Sequence, residues 1–423
     1  MAQIKPFKAL RFTDKAGDIK NLCCPPYDII SDKQRLEYLN KNENNIIRLE
    51  LPKDGENVYK TASEVLKKFL DNQILKCDDK DAIYIYSEKF SVEDKEYEFK
   101  GIISRVHLEE FSKGIVLPHE ETLSKAKQDR FELMKATMCN FSQIYSLYND
   151  ENDCTNSLVE ECSASAPEIS FEADGVTHSL WVVTDEDVIG KIQKQFENRK
   201  LYIADGHHRY ETAVNFRDYL REQNMAKEGD ECDYVMMMLV PMAHKGLVVL
   251  PTHRIVHHLD NFDCNKVIEN SKDSFSIEEI DKESVLSTLK AKYEQNEKSF
   301  VMYADNKNYL FTLKDTKTLD EMSAGKSDAL KNLDVNILHS LVLERVLKID
   351  KENMAKQINL SYTRDYDEAI SEVDSNNANC AFIMNPTKVS EIGDVALAGE
   401  KMPQKSTYFY PKLITGLVMN KFN

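Results

Sequence analysis

The residues with the strongest chemical character in this chain stand together at Asp205-Gly206-His207-His208-Arg209. A carboxylate, two imidazoles and a guanidinium meet there around a glycine. Leu201, Tyr202, Ile203 and Ala204 before them read as a short buried strand. After them, Tyr210, Ala213, Val214 and Leu220 fall at helical spacing. Gly206 can take the backbone angles of a tight turn. Such a strand-turn-helix aims the unpaired amides of a helix start, two imidazoles and a guanidinium at one point. That suits an anion, above all a phosphate. The same residues also make an ordinary capped turn; their density at one helix start favours a site.

A second cluster is His119, Glu120, Glu121, Lys127 and Arg130. A helix is predicted from about Thr122, with Lys127 and Arg130 sharing a face with Leu123 and the glutamates at its start. The helix dipole favours glutamates there in any case. Taken together, the cluster has the composition of a phosphoryl-transfer site: a base, a metal or water ligand, and a charge clamp. Glu120 is the favoured base, because it follows His119 directly and lies outside the helix.

Two further stretches carry anion-binding types. Pro251-Thr252-His253-Arg254 sets a histidine-arginine pair at a strand end. Lys401 to Lys412 interleaves lysines with Ser406, Thr407 and aromatics, so Lys405, Ser406 and Thr407 could grip a phosphate, or the tail could be pinned by its rings. Near the start, Pro25-Pro26-Tyr27-Asp28 is either a rigid capped turn or a ligand loop.

The elements that must position these groups follow from patterning. Helices are predicted over Lys33 to Leu39, Thr61 to Asn72 and Glu186 to Glu197, with a short strand at Ile46 to Leu51. Alternation in Ala82 to Tyr86, a polar turn near Glu93 to Lys95 and a strand at Tyr97 to Val106 predict a β-hairpin. Asn149 to Ala166 reads as a linker or long loop. Strands are expected at Ser179 to Thr184, Asp233 to Val240, Gly246 to Leu250 and Cys380 to Asn385. Further on, a helix is expected at Ile280 to Leu289, a hairpin at Ser299 to Tyr303 and Tyr309 to Leu313, and a strong helix at Asn336 to Val346. Alternating helices and strands argue for an α/β core.

At 423 residues the chain calls for two or three domains. A net charge of -17 argues against a nucleic-acid partner, which needs a basic face. Nine cysteines, an odd number without Cys-x-x-Cys or zinc spacing, fit reduced thiols. No run reaches the length of a membrane span and the first residues lack a signal-peptide core, so a cytoplasmic protein without a membrane partner is expected. There is no internal repeat, Walker A loop or Gly-x-Gly-x-x-Gly fingerprint. Nothing in the sequence fixes an oligomeric state.

The whole chain resembles a widespread prokaryotic family classed as a domain of unknown function. The likeness rests on Pro25-Pro26-Tyr27-Asp28, His119-Glu120 with Lys127 and Asp129-Arg130, and Ala204-Asp205-Gly206-His207-His208-Arg209-Tyr210-Glu211-Thr212-Ala213. It extends to Met402-Pro403, Lys405-Ser406-Thr407 and Phe409-Tyr410-Pro411-Lys412. The central turn is similar to the nucleotide-binding turn of the ParB/sulfiredoxin superfamily, whose free-serine kinases carry a similar Asp-Gly-His-His-Arg. That resemblance implies an α/β (mixed α+β) fold with a ParB/sulfiredoxin-like core at 167–260, flanked by α+β regions at 1–150 and 261–423. It also implies phosphate contacts from Gly206, His207, His208 and Arg209. His207 stands where sulfiredoxins need a cysteine, which argues against sulfinic-acid reduction. The helix-turn-helix of ParB proteins is not visible.

The expected function is therefore a phosphotransferase on a small hydroxyl metabolite of the serine or O-phosphoserine class, a nucleotide-dependent kinase or a phosphatase. ADP or ATP with Mg2+ is the expected cofactor, although no magnesium-ligand motif can be read. The alternative is a non-catalytic, nucleotide-responsive regulatory protein, which needs the phosphate turn but not the second cluster.

Overall fold

A computed structural model describes residues 1–122, 124–314 and 316–422, and its fold is mixed α/β. The chain forms two compact units. The first comprises Met1–Pro118, Thr122–Val248 and Pro411–Asn423, the second His119–Glu121 and Val249–Tyr410.

The first unit is built on a nine-stranded sheet. Its strands are β1 (Ile4–Lys5), β2 (Ile83–Val92), β3 (Lys95–His107), β4 (Val116–Leu117), β5 (Ile144–Tyr148), β6 (Ile169–Ala173), β7 (Val176–Val183), β8 (Leu201–Asp205) and β9 (Tyr234–Pro241). The order is β4-β8-β5-β9-β3-β2-β7-β6, with β1 beside β3. The β4–β8 and β5–β9 pairs are parallel and the others antiparallel. The predicted hairpin is β2–β3, longer than expected, with Glu93 at φ 53 in its turn.

Helices cover the sheet. Ile83, Ile85, Ile102, Ile203, Met237 and Leu239 pack with Ile192 and Phe196 of one helix (Glu186–Phe196) and with Tyr210, Ala213, Phe216 and Leu220 of another (His207–Glu222). The second helix therefore buries one face at the spacing read from the sequence. The strands before residue 150 pair directly with those after 167, so the core predicted at 167–260 shares its sheet with residues assigned to the N-terminal region. Within the stretch expected to be a linker, Cys154–Cys162 is a helix, its Thr155 and Val159 buried.

Ile46 to Leu51, expected as a strand, instead turns helical at Ile47–Glu50. Asn45 explains the difference. Fully buried, it donates to the Asn21 carbonyl (2.7 Å) and accepts from the Ile47 amide (2.9 Å), turning the backbone at that point. Lys127 and Arg130 do lie on a helix, Ser124–Thr137; the predicted placement of Leu123 on the same face falls outside the described residues.

The second unit holds a six-stranded antiparallel sheet. Its strands are β10 (His253–Val256), β11 (Phe275–Ile280), β12 (Ser299–Ala304), β13 (Lys307–Leu313), β14 (Leu360–Thr363) and β15 (Cys380–Met384), in the order β11-β13-β12-β15-β10-β14. The predicted hairpin is β12–β13. The expected helix at Ile280 to Leu289 starts late, at Val285, because Ile280 closes β11. Asn336 to Val346 is not one regular helix: an α-turn at Asp334–Leu338 passes into a π-helix at His339–Glu344.

One polar group is deeply enclosed in the first sheet. Glu88 on β2 is completely buried and receives the Tyr86 hydroxyl at 2.7 Å, while that hydroxyl also meets His178 Nδ1 at 2.7 Å. Burial pushes the Glu88 carboxyl up to about 8 against the opposing Tyr86 hydrogen bond, and burial pushes His178 down to about 4. A raised carboxyl stabilises the fold while it is protonated in both states. That stabilisation is lost as pH rises from the unfolded value of about 4.3 through about 8. Glu88→Gln should accordingly flatten the fall in melting temperature between pH 5 and pH 8. An unchanged slope in differential scanning fluorimetry across that range would show that Glu88 titrates normally.

Candidate functional site

The turn after β8 forms in the first unit as the sequence suggests, with the helix starting earlier than Tyr210. His207, His208 and Arg209 are its first turn, and Gly206 before it has φ 93. A side chain at Gly206 would be strained by that φ, and its Cβ would stand 2.9 Å from the Arg209 guanidinium. Arg209 folds back over the turn. Its Nη2 donates to Asp205 Oδ2 at 2.7 Å and its Nη1 to the Gln143 carbonyl at 2.5 Å. Lys412 reaches the other oxygen of Asp205. Burial would raise the Asp205 carboxyl, but Lys412 and Arg209 outweigh it and hold the group below the usual carboxylate range.

A cavity of about 40 Å3 lies beside this turn, lined by Arg209, Arg130, Glu50, Ser142 and Thr212. A water needs about 10–15 Å3 of such space, so the cavity takes a small group of atoms. Arg130 is buried. It donates through Nη1 to the Glu50 carbonyl (2.7 Å) and through Nε and Nη2 to Asp129 (2.9 and 2.6 Å). Its guanidinium also lies 4.0 Å from the centre of the Tyr27 ring. Glu50 closes the set: its carboxylate accepts from Ser142 Oγ at 3.0 Å and from the Tyr27 amide. Burial raises the Glu50 carboxyl, and the charges of Arg130 and Arg209 pull part of that back.

The predicted residues are distributed over both units. In the first, Lys127 Nζ meets Glu211 Oε2 at 2.6 Å, and Thr122 Oγ1 meets the same oxygen at 2.7 Å. That lysine therefore ties its helix to the one after β8. His207 is buried and His208 half-buried. In the second unit, His119 is buried, its Nε2 3.0 Å from Thr407 Oγ1. Glu120 bridges to Met402, and Glu121 is exposed.

His253 and Arg254, expected at the end of a strand, instead open β10 and are buried. His253 Nδ1 accepts the Met384 amide (3.2 Å), and Arg254 donates to the carbonyls of Thr252 and Lys405, the latter at 3.0 Å. Burial brings Arg254 down to about 10. The carbonyl of Ser406 accepts from Thr387 (2.7 Å) and its hydroxyl donates to Pro403 (2.5 Å). These bonds fix the tail.

Sequence reading missed Glu50, Ser142, Gln143 and Lys412 as members of the cluster. Glu50 sat in a predicted strand, and Ser142 and Gln143 lie in no motif. Lys412 was noted in the tail and in a stretch carrying the family resemblance, but its nearness to the central motif has no local signal. Among the described residues no three His, Cys, Asp or Glu side chains converge as a metal cage would require. Magnesium is commonly held by one or two carboxylates and the phosphates of its ligand, so it needs no such cage.

The fold and cluster define a mixed α/β protein with a charged pocket at a strand-to-helix turn. The chain belongs to the family described as "Protein of unknown function (DUF1015)", whose model matches residues 4–336. No curated protein matches it in sequence. Solved structures similar to it include a conserved hypothetical protein from Pyrococcus furiosus, at 15% identity and a TM-score of 0.36 over 76% of this chain and 95% of that one. A free serine kinase in complex with AMP is similar at 13% identity and a TM-score of 0.38, over 76% of this chain and 91% of the kinase. SbnI from Staphylococcus aureus, truncated at its C-terminus, is similar at 11% and 0.36, over 75% and 86%.

Asp205 bears two cations, so Asp205→Asn should destabilise the fold by about 3 kcal/mol at neutral pH, the scale for breaking an enclosed ion pair. Its folded pKa is depressed, so the contribution is present above the unfolded value of about 3.9 and is lost as pH falls through the folded value. Denaturant midpoints should therefore differ most near pH 7 and converge at strongly acid pH. Equal midpoints at pH 7 would show that the cluster contributes nothing to the fold.

Proposed function

We propose that the first unit is a phosphotransferase site acting on a small hydroxyl metabolite, of the serine or O-phosphoserine class, with a nucleotide as phosphoryl donor. The observation that carries this reading is the convergence of Arg130 and Arg209 on Glu50, around a cavity beside a glycine-started helix. Guanidinium groups and helix-start amides match the charge and geometry of phosphate oxygens. The nucleotide is implied by the resemblance of the Asp-Gly-His-His-Arg turn.

In this mechanism Arg209 and the first-turn amides hold the phosphoryl oxygens, and Arg130 stabilises the charge that spreads over them during transfer. The acceptor hydroxyl attacks phosphorus, the bond to the donor's bridging oxygen breaks, and the hydroxyl proton passes to Glu50. A carboxyl raised by burial is a stronger base than one in water, which suits it to that task. Mg2+, if used, arrives on the phosphates of the nucleotide. With water in place of the acceptor hydroxyl, the same groups serve hydrolysis of a phosphate ester: water attacks phosphorus, its proton passes to Glu50, and the alcohol leaves.

Wild-type protein should transfer phosphate to serine, or release it from O-phosphoserine, in an assay with ATP or ADP present. Glu50→Gln should lower kcat about a hundredfold or more with nucleotide affinity nearly kept. Arg209→Lys should weaken nucleotide binding in calorimetry, because an ammonium cannot copy the bidentate contact. If wild type binds nucleotide without transfer or hydrolysis on any small hydroxyl acceptor or ester, the regulatory alternative replaces this one.

A further inference from the structure

The second unit contains a cavity of about 220 Å3, much the roomier of the two described. Its wall combines two kinds of surface. Leu330, Met354 and Met402, all buried, form an apolar side. Lys326, Lys351 and Lys401 supply three ammonium groups, against Glu121 and Glu344. The lysines are held only lightly: Lys326 has one long contact, 3.3 Å to Asn336 Oδ1, and Lys351 and Lys401 are exposed.

A second observation is independent of the lysines. His339 also lines this cavity and is about 95% buried, yet its Nε2 has no hydrogen-bond partner among the described residues. A buried polar atom left unmatched costs free energy, and a bound ligand is one way to match it. His339 opens the π-helix His339–Glu344, so its position in the wall depends on an irregular helix of the kind that is frequent at functional sites. Burial, with Arg254 and Lys326 near, keeps this imidazole neutral, so it can offer an N–H or a lone pair without bringing a charge. Lys326 is drawn below its ordinary value first by burial and then by Lys351. Two ammonium groups that disfavour each other's charge are relieved by an anion between them.

We infer that this cavity binds a small organic oxyanion, its charged end between Lys326, Lys351 and Lys401, its body against Leu330, Met354 and Met402, and a polar group meeting His339 Nε2. The volume admits a metabolite of several heavy atoms and excludes a macromolecule. Carboxylate and phosphate-ester ligands share this chemistry. The inference concerns the second unit alone and stands whether or not the first unit transfers phosphate.

The test is isothermal calorimetry on the full chain with succinate, with glycerol 3-phosphate and with uncharged glycerol, each at up to millimolar concentration. One of the two anions should bind saturably, and its identity tells carboxylate from phosphate ester; glycerol should not bind. Lys351→Ala and Lys401→Ala, both exposed and so expected to fold, should each weaken that binding roughly tenfold. Arg209→Ala, in the first unit, should leave it intact. Binding that disappears in Arg209→Ala and persists in both lysine variants would assign the anion to the first unit and overturn the inference. So would glycerol binding as well as the anions, or no binding by either anion.

Discussion

One carboxylate holds the first unit's turn together. Asp205 ends β8, and its two oxygens are divided between Arg209, four residues on, and Lys412, 207 residues downstream. A strand end, a helix start and the C-terminal segment are thereby tied to a single charge. Arg209 extends the tie to the Gln143 carbonyl, and Gln143 in turn donates to the Ile414 carbonyl at 3.1 Å, so the C-terminal segment is held twice. The left-handed Gly206 is what lets the chain reverse tightly enough for Arg209 to fold back over its own turn. Arg209 is thus committed to the frame of the site as well as to its wall. A guanidinium with several donors can serve both, which a lysine at that position could not do.

Much of this frame was legible because it is local. The strand Leu201–Asp205, the glycine and the buried face of the following helix are read directly from apolar spacing and one residue of special conformational freedom. The β2–β3 hairpin was legible from alternation and a polar turn. Mixed α/β architecture followed from the same patterns. What could not be read is where distant segments meet. Lys412 and Asp205 belong to one ion cluster through the fold alone, and no periodicity links them. The Ile46 to Leu51 segment has strand-like composition; its helical turn depends on Asn45 bonding to Asn21, a contact made only in the folded protein. Short apolar runs are ambiguous for this reason: propensity decides them weakly and tertiary contacts decide them strongly.

That failure had a chemical consequence. Read as a strand residue, Glu50 is one carboxylate among many in an acidic chain. Placed at the end of a helical turn under Arg130, it is enclosed with Ser142 and the Tyr27 amide as partners. The Pro25-Pro26-Tyr27-Asp28 stretch contributes through this contact and through the Tyr27 ring beneath Arg130, and Ser31 just after it caps the next helix. A histidine-arginine pair gave the opposite lesson. His253 and Arg254 have the residue types of an anion site, but β10 buries both: His253 Nδ1 accepts a main-chain amide and two of the Arg254 nitrogens donate to main-chain carbonyls. Residue type proposes chemistry, whereas burial and partners decide whether the group remains available for it.

The charges around the small cavity also set the two states open to Glu50. Asp129 offsets Arg130, and Asp205 is shared by Arg209 and Lys412. With Glu50 ionised, three carboxylates face three cations and the cluster is neutral. With Glu50 protonated, one positive charge is in excess. Burial favours the protonated form and the two guanidiniums oppose it, so these two charge states lie closer in energy than for a carboxylate in water. An anion entering the cavity would raise the Glu50 carboxyl further, since like charges disfavour each other's ionised form. Under the phosphotransferase reading, the arriving phosphoryl group would thus strengthen the base that must take the hydroxyl proton. Binding and proton transfer would be coupled through this one carboxyl, without any part of the chain having to move.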